Sequence, residues 1–250
     1  MHRFFVAAEC IEASAVTLSG DAARQIARVL RARPGDRITV LDDSGWEYAV
    51  TLEAVGPSRV EGVITDRALS RGEPRVEVVL YQALLKMDRF EFVLQKGTEL
   101  GVSRFVPVFS ERSVPRPRIG KGEVARQARW RKIIAEAAEQ SRRGRLPVLD
   151  EPVAFGEACD QVEGMAVIPW EEESRTGLKA ALLGWAAEKD RHSSVSVVVG
   201  PEGGLTEQEV GYARERGILP VTLGDRILRA ETAGIVAVAA VLYELGELGG

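Results

Sequence analysis

The sequence is poor in the residues that build metal sites and disulfide frameworks. It has two cysteines, Cys10 and Cys159, which lie far apart and outside any CxxC motif, and only two histidines. Structural zinc sites and disulfide scaffolds need several such residues at short spacing. The sequence therefore predicts neither a disulfide framework nor a metal site.

Long apolar runs are also missing. The longest, Ala233–Tyr243, has about half the length that a membrane-spanning helix needs. The first residues, Met1–Phe5, lack the apolar core of a signal peptide. We therefore expect a cytoplasmic protein without a membrane partner.

The fingerprints of nucleotide-binding loops are absent as well. The chain contains neither a GxGxxG fingerprint after an early strand nor a GK[ST] phosphate-binding loop. This absence argues against a nicotinamide-dependent oxidoreductase and against a P-loop nucleotide hydrolase.

A net charge of -4, if spread evenly, disfavours a nucleic-acid partner, but the charge is uneven. Residues 86–145 carry 15 basic and 7 acidic side chains, a net +8, whereas residues 146–250 carry 8 basic and 18 acidic ones, a net -10. The basic segment suits an anionic partner. Arginine outnumbers lysine 27 to 6, which suits RNA because guanidinium groups bind phosphates and stack on bases. A codon bias towards arginine also explains that ratio, though not the clustering.

The first seventy residues predict a small β-barrel. Short alternating strands at Asp36–Leu41, Trp46–Val55 and Arg59–Thr65 are separated by turns rich in Gly, Pro and Asp. A helix from Asp21, as its N-cap, to Arg31 precedes them, and Ser70–Pro74 is a predicted linker.

The rest of the chain predicts an α/β fold with a parallel sheet. Continuous apolar strands alternate with stretches whose apolar residues recur at helical spacing. The strands are Val76–Ala83, Phe105–Phe109, Met165–Pro169, Val195–Val199 and Ile218–Leu223.

Two loops that follow strands are candidates for chemistry. Gly200-Pro201-Glu202-Gly203-Gly204 follows the strand that ends at Val199, and behind it Thr206 and Glu209 form a capping box. Ligands of open α/β sheets bind at such strand ends, although a tight turn alone also needs glycines. A carboxylate at Glu202 disfavours a polyphosphate and favours a ligand with a positive centre, of which S-adenosylmethionine is one. The run 171–173, three glutamates after another strand, is interpreted as a solvated loop, with a place at the mouth of the pocket as the alternative.

The second loop, Leu223–Ala233, contains Arg226, Arg229, Glu231 and Thr232 before an alanine-rich helix. The structural alternative for Glu231 and Thr232 is that one of them caps this helix. The two arginines need another explanation, since cations oppose the dipole at a helix N-terminus.

Together these motifs resemble the RsmE-type 16S rRNA methyltransferases of the SPOUT class. The resemblance rests on GPEGGLT-x-x-E and LG-x-RILR-x-ETA, and it extends to His2-Arg3-Phe4-Phe5, Val29-Leu30-Arg31 with Pro34-Gly35-Asp36, the segments 91–102 and 110–113, and the run 137–142. One departure is Gln25, where the family often has histidine, which leaves a role of that position in RNA contact open.

The resemblance implies a PUA-like RNA-binding domain over residues 1–72 and a SPOUT α/β domain with a deep trefoil knot over 73–250. It implies a homodimer that uses S-adenosylmethionine to methylate N3 of one uridine in the 16S rRNA of the small ribosomal subunit. We expect Arg229 and Glu231 to be catalytic, the first by stabilising the uracil anion and the second by orienting or deprotonating the base. The expected cofactor-binding residues are Gly200, Glu202, Gly203, Gly204, Leu223, Gly224, Ile227, Leu228 and Thr232.

For RNA contact we expect arginines from the basic segment, with two more from the N-terminal domain. They are Arg3, Arg31, Arg89, Arg112, Arg116, Arg118, Arg142 and Arg143. Arg142 and Arg143 also have a structural alternative, because cations stabilise the C-terminus of a helix. The competing functions are a non-catalytic RNA-binding module and a methyltransferase that acts on another RNA.

Overall fold

The computed structural model describes residues 1–86, 88–115, 121–186 and 194–249. The chain divides into two compact units. The first comprises Met1–Glu73 and Ala135–Leu146, and the second comprises Pro74–Ile134 and Pro147–Gly250. The first unit is thus built from two separate stretches of the chain.

The first unit holds a six-stranded sheet in the order β1-β4-β5-β6-β3-β2. All of its strand pairs are antiparallel except β1 with β4, which are parallel. Tyr48, Val50 and Leu52 alternate along β5 and point into the core, as the sequence pattern predicts. The strands are β1 Arg3–Phe5, β2 Ile11–Glu12, β3 Ala15–Ser19, β4 Arg37–Leu41, β5 Trp46–Val55 and β6 Arg59–Leu69.

The helix of the first unit differs from the prediction. Helix α1, Gly20–Arg24, begins one residue before Asp21, with Ser19 as its N-cap. It continues as a wider π-helical turn, Gln25–Val29, in which the Leu30 N–H donates to the Gln25 carbonyl. The wider turn keeps the Ile26 side chain fully buried in the core of this unit.

The second stretch of the first unit is fastened to the first by polar contacts, most of them partly buried. The backbone N–H of Phe5 donates to the Glu139 carboxylate over 3.1 Å. The guanidinium of Arg143 pairs with Glu73, whose Oε1 also accepts the backbone N–H groups of Gly144 and Arg145.

The second unit contains a parallel sheet in the order β10-β8-β7-β12-β11-β13, with β9 beside β8. Every strand pair in it is parallel, which confirms the predicted sheet type. Its strands are β7 Val78–Ala83, β8 Arg104–Phe109, β9 Val148–Leu149, β10 Val153–Ala154, β11 Met165–Pro169, β12 Val195–Val199 and β13 Leu219–Val221. Its helices are α2 Arg89–Leu100, α3 Lys121–Gln140, α4 Phe155–Asp160, α5 Leu178–Ala186, α6 Glu207–Glu215 and α7 Ala230–Glu244; the end of α3 belongs to the first unit.

Apolar cores cover both faces of the parallel sheet. Every residue of β7 and β12 is buried, because helices pack on either side of these central strands. Leu80 and Val197 face one core, and Tyr81 and Val198 face the other. Because β11, β12 and β13 run in one direction, the loops after them meet at one edge of the sheet.

Candidate active site

A cavity of about 560 Å³ lies at the carboxyl edge of the parallel sheet. Pockets for small molecules fall in this size range. Its walls are the loops that follow β11, β12 and β13, together with the start of α2 and of α7. The lining residues are Arg89, Pro169, Trp170, Glu171, Glu173, Ser174, Val199, Gly200, Pro201, Glu202, Gly204, Leu205, Thr222, Leu223, Gly224, Asp225, Arg226, Ile227, Leu228, Arg229, Ala230 and Ala233.

The loop after β12 has a shape that only glycine permits at one position. Gly204 has φ +71°, and a Cβ there would collide with Oε1 of Glu171. Beyond the loop, Thr206 caps α6: its Oγ1 accepts the Glu209 N–H over 3.2 Å, and its own N–H donates to Glu209 Oε2 over 2.9 Å. The predicted capping box is therefore confirmed.

The segment after β8 fastens this glycine loop from the other side. Arg112 Nη1 donates to the carbonyl of Gly203 over 3.1 Å, and the Glu111 N–H donates to Glu209 Oε1 over 2.8 Å. Gly203 therefore serves the contact with Arg112 and does not line the cavity.

Arg89, at the start of α2, joins the two predicted chemistry loops. Its Nη1 lies 3.3 Å from Oε1 of Glu202, and its Nε lies 3.7 Å from Oε1 of Glu231. Glu202 Oε1 also accepts the backbone N–H of Lys86 over 3.0 Å. All three charged residues were predicted from the sequence to be functional, but the sequence does not indicate that they contact one another.

The loop after β13 brings both of its arginines to the cavity. Arg226 and Arg229 are exposed and line it, and Arg229 is the N-cap residue of α7. Neither Glu231 nor Thr232 lines the cavity, and neither is the cap. The Oε2 atom of Glu231 is buried without a hydrogen-bond partner among the described residues. The other oxygen contacts Arg89, which lines the cavity, so Glu231 is linked to the cavity through Arg89.

The loop after β11 contributes two glutamates to the cavity wall. Glu171 and Glu173 line the cavity, so the alternative interpretation, in which the glutamate run lies at the pocket, fits these two residues. The backbone N–H groups of Arg175 and Thr176, at 2.7 and 3.1 Å from Glu173 Oε1, hold the pKa of Glu173 below its ordinary value. Glu173 therefore stays ionised at the cavity wall.

Trp170 is the functional candidate that the sequence analysis missed. It follows β11 directly, lines the cavity, and has an indole Nε1–H that is buried with no acceptor among the described residues. The sequence feature that could have identified Trp170 is its position directly after an apolar strand, the same feature that identified the other two loops.

The predicted cofactor residues are otherwise brought together. All of them line the cavity except Gly203 and Thr232. The chain thus places two glycine-bearing loops, an aromatic ring and four carboxylates around one space.

The predicted RNA-contacting arginines fall into different environments. Arg31, Arg112 and Arg142 are exposed. Arg3 pairs with Glu47 and Arg143 with Glu73, and their side chains are only 11% and 3% exposed. The prediction of RNA contact is a poor fit for these two, because their guanidiniums are committed inside the first unit. Arg116 and Arg118 lie outside the described residues.

Metal and membrane features can be checked over the same part of the chain. Within the described ranges, no group of three or more His, Cys, Asp or Glu side chains is arranged to hold a metal ion. No helix in those ranges has the length and apolarity to cross a membrane.

Two family models match the chain. Residues 72–242 match the RNA methyltransferase domain, and residues 18–65 match the RNA methyltransferase PUA domain. A Bacillus subtilis protein named ribosomal RNA small subunit methyltransferase E is 33% identical over 249 residues, which cover 98% of this chain and 97% of the relative. The chain belongs to the ribosomal RNA small subunit methyltransferase E family.

Other members of the methyltransferase E family agree with this assignment. A Synechocystis relative of the same name is 34% identical over 96% of this chain and 77% of its own. The crystal structure of the Neisseria gonorrhoeae member bound to S-adenosyl methionine has a TM-score of 0.83 at 32% identity, with 97% of both chains covered. A putative methyltransferase from Legionella pneumophila, in complex with the same cofactor, has a TM-score of 0.84 at 30% identity over 96% of both chains. The predicted family, the α/β class and the PUA-like N-terminal part are thereby confirmed.

Proposed function

We propose that this protein transfers a methyl group from S-adenosylmethionine to N3 of a uridine in the 16S RNA of the small ribosomal subunit. The observation that carries the proposal is the cavity at the sheet edge, walled by the loop 200–204 and the loop 222–229. Relatives in the family are named ribosomal RNA small subunit methyltransferase E, and two similar structures hold this cofactor.

The cavity fits S-adenosylmethionine in charge and in chemistry. The carboxylates of Glu171, Glu173, Glu202 and Asp225 suit a ligand with a positive sulfur centre. Trp170 offers an N–H that has no acceptor among the described residues, and Gly204 has no side chain of its own to occupy the cavity. Apolar walls for the adenine come from Val199, Leu205, Leu223, Ile227 and Leu228. When bound, the cofactor supplies an activated methyl group.

The chain's own residues must prepare the base. N3 of uracil lies on the Watson–Crick edge and carries a proton, so the base has to be unpaired or flipped out, and N3 has to release that proton to solvent before it can accept the methyl group. We assign Arg229 to the negative charge that develops on the uracil oxygens, because its guanidinium lines the cavity without an ion pair among the described residues. Holding the base in line contributes much of the remaining rate.

Glu231 acts by position in this proposal. Its carboxylate lies outside the cavity lining and pairs with Arg89, which also holds Glu202. Glu231 therefore orients the wall of the site through Arg89. Arg89 belongs to this charged cluster rather than to the RNA contacts.

The proposed enzyme has two domains and acts as a homodimer. Residues 1–72 form the RNA-binding domain and 73–250 the knotted methyltransferase domain of a homodimer. Arg31, Arg112 and Arg142 contact RNA in this proposal. The enzyme acts in the cytoplasm, where its RNA substrate is found.

The test is transfer of labelled methyl groups to small ribosomal subunits and to naked RNA, followed by mapping of the modified nucleotide. We expect label at N3 of a uridine, and label at a cytidine or on protein would overturn the substrate assignment. Arg229→Ala should lower kcat about a hundredfold while calorimetry with S-adenosylmethionine stays normal. Absence of any cofactor binding by the wild type would leave a non-catalytic RNA-binding module.

A further inference from the structure

We infer that the first compact unit carries an RNA-docking surface formed by Arg67, Arg71, Arg142 and Arg145 around Trp46, here called the Trp46 surface. The inference rests on the proposed function, because the Trp46 surface would bind the RNA that the enzyme methylates. The Trp46 surface belongs to the first unit, which contains none of the cavity-lining residues.

Backbone contacts bring the three segments of the Trp46 surface together. The Gly45 N–H donates to the Gly144 carbonyl over 3.2 Å, and the Ser70 N–H donates to the Gly45 carbonyl over 2.9 Å. Ser70 Oγ in turn donates to the Arg142 carbonyl over 3.1 Å. A Cβ on Gly45 would lie 3.2 Å from Nε of Arg145, so this guanidinium lies directly beside the residue that precedes Trp46.

The four arginines have no carboxylate partner among the described residues, and all four are exposed. Arg24, Arg59 and Arg143 of the same unit each pair with an acid. Unpaired exposed guanidiniums gathered in one place create the positive potential that a phosphate backbone requires.

The acidic side chains nearby are occupied by other donors. Asp43 accepts the Leu146 N–H over 2.6 Å, and Asp66 accepts the Arg67 N–H over 2.8 Å. Glu73 is held by Arg143 and two backbone N–H groups. Among the described residues, none of these three carboxylates forms an ion pair with a guanidinium of the Trp46 surface.

Arg67 is arranged for stacking as well as for charge. Its Cζ lies 3.9 Å from the centroid of the Trp46 ring and 5.6 Å from that of Tyr48, which is its cross-strand partner. Trp46 packs against the core of the unit, so the guanidinium lies on the outer side of the ring. A guanidinium held on an aromatic ring offers its other face to an unpaired base.

The backbone at Arg142 gives independent support. Arg142 has φ +62° and follows the end of α3, where the Arg143 N–H donates to the Ala138 carbonyl over 3.0 Å. Glycine is the usual residue at such a helix end because a side chain there is strained. An arginine in this place bears a conformational cost that its charge at the surface explains.

Charge alone would also suit an acidic protein, but a stacked guanidinium favours nucleobases. The occupant we assign is therefore RNA with at least one unpaired base. Competition between RNA and polyglutamate at equal charge distinguishes the two, and equal displacement by polyglutamate would overturn this assignment.

The experiment compares Arg142→Gly/Arg145→Ala and Arg67→Lys with Arg59→Ala, a control whose arginine is exposed and paired with Glu61. Arg142→Gly suits the left-handed backbone, so a loss of binding would not reflect misfolding. Filter binding at several salt concentrations and methyl transfer at varied RNA concentration are both measured.

We expect the double variant to bind RNA at least about tenfold more weakly, with a salt slope reduced by about 0.7 for each lost phosphate contact. Its KM for RNA should rise, while S-adenosylmethionine affinity stays at the wild-type value. Arg67→Lys should weaken binding to single-stranded RNA more than to duplex RNA, because it keeps the charge and loses the flat stacking face. If RNA affinity and the KM for RNA stayed at the wild-type values in these variants, the assignment of the Trp46 surface to RNA binding would be overturned. Failure of the wild type to methylate RNA would instead overturn the proposed function.

Discussion

Glu73 and Arg143 form an ion pair inside the first compact unit, with Oε2 and Nη2 2.8 Å apart and the Arg143 side chain only 3% exposed. Burial alone would raise the pKa of Glu73. The hydrogen bonds from Arg143, Gly144 and Arg145 outweigh it and hold the pKa below its ordinary value. The ionised form therefore stabilises the folded unit.

Glu73→Gln should lower the free energy of unfolding by about 3 kcal/mol at neutral pH, because it leaves a buried guanidinium without its counter-charge. The folded pKa is depressed, so the stabilisation is complete above the unfolded pKa and is lost as the pH falls through the folded one. Urea denaturation at several pH values checks both points.

The matched control is Glu61→Gln, which breaks the exposed pair with Arg59 and should cost less than about 0.5 kcal/mol. Equal losses in the two variants, or a Glu73→Gln effect that does not shrink in acid, would contradict the buried-pair argument.

Glu139 should behave in the opposite sense. Burial raises its pKa, with a smaller contribution from Glu136, although the Phe5 N–H bond acts against the shift. Glu139→Gln keeps an oxygen acceptor and removes the buried charge, so it should stabilise the protein by about 1 kcal/mol at neutral pH. The gain should shrink as the pH falls through the raised folded pKa and vanish below the ordinary pKa of the unfolded state, where the carboxyl is neutral in both states. Destabilisation at neutral pH in paired urea titrations would refute this.

Arg142→Gly should stabilise the fold by about 1 kcal/mol, because glycine adopts the left-handed backbone at φ +62° without strain. Thermal unfolding measures the effect. Arg145→Gly is the control, since Arg145 has no positive φ, and it should not stabilise. A loss of stability in Arg142→Gly would mean that the side chain supports the fold after all.

Arg89→Ala should weaken S-adenosylmethionine binding about tenfold, equivalent to about 1.4 kcal/mol, because Glu202 and Glu231 lose their shared cation. Calorimetry measures this, and Arg89→Lys should recover part of the affinity. RNA affinity in filter binding should stay within about twofold of the wild type, which is a difference of about 0.4 kcal/mol. The reverse pattern, with RNA binding lost and cofactor binding intact, would return Arg89 to the RNA contacts.

Cys159 should be inert in the folded protein. Burial raises the pKa of its thiol to about 12, so the reactive thiolate is scarce at neutral pH. A thiol reagent should modify only the half-buried Cys10 in native protein and both cysteines in urea. The variant Cys10→Ser should show no fast reaction; rapid labelling in that variant would disprove the assignment.

Much of the fold and part of the site follow from local patterns. The loops at Gly200–Gly204 and Leu223–Leu228 were recognisable because each combines an apolar strand with glycines and a helix start, all within a few residues. The same local reasoning passed over Trp170 and favoured a solvated loop for Glu173. Their importance arises only when β11 lies between β12 and β13, and sheet order is not written in any single segment.

Arg142 and Arg143 show a second limit. The two are neighbours in sequence with identical side chains, yet one is exposed and the other is buried against Glu73. The backbone turn at the end of α3 sends their side chains in different directions. Likewise, the meeting of Arg89 with Glu202 and Glu231 joins residues more than a hundred positions apart, which no spacing rule predicts.

The first compact unit takes its last piece, Ala135–Leu146, from beyond the stretch Pro74–Ile134 of the second. During synthesis on the ribosome, the Phe5 N–H and the Glu73 carboxylate therefore lack their partners Glu139 and Arg143 until those residues have emerged. A fragment that stops at residue 72 would lack Glu139 and Arg143 for the same reason. The order of translation thus makes the two units interdependent in their maturation, and the enzyme cannot be separated into autonomous pieces by a single cut.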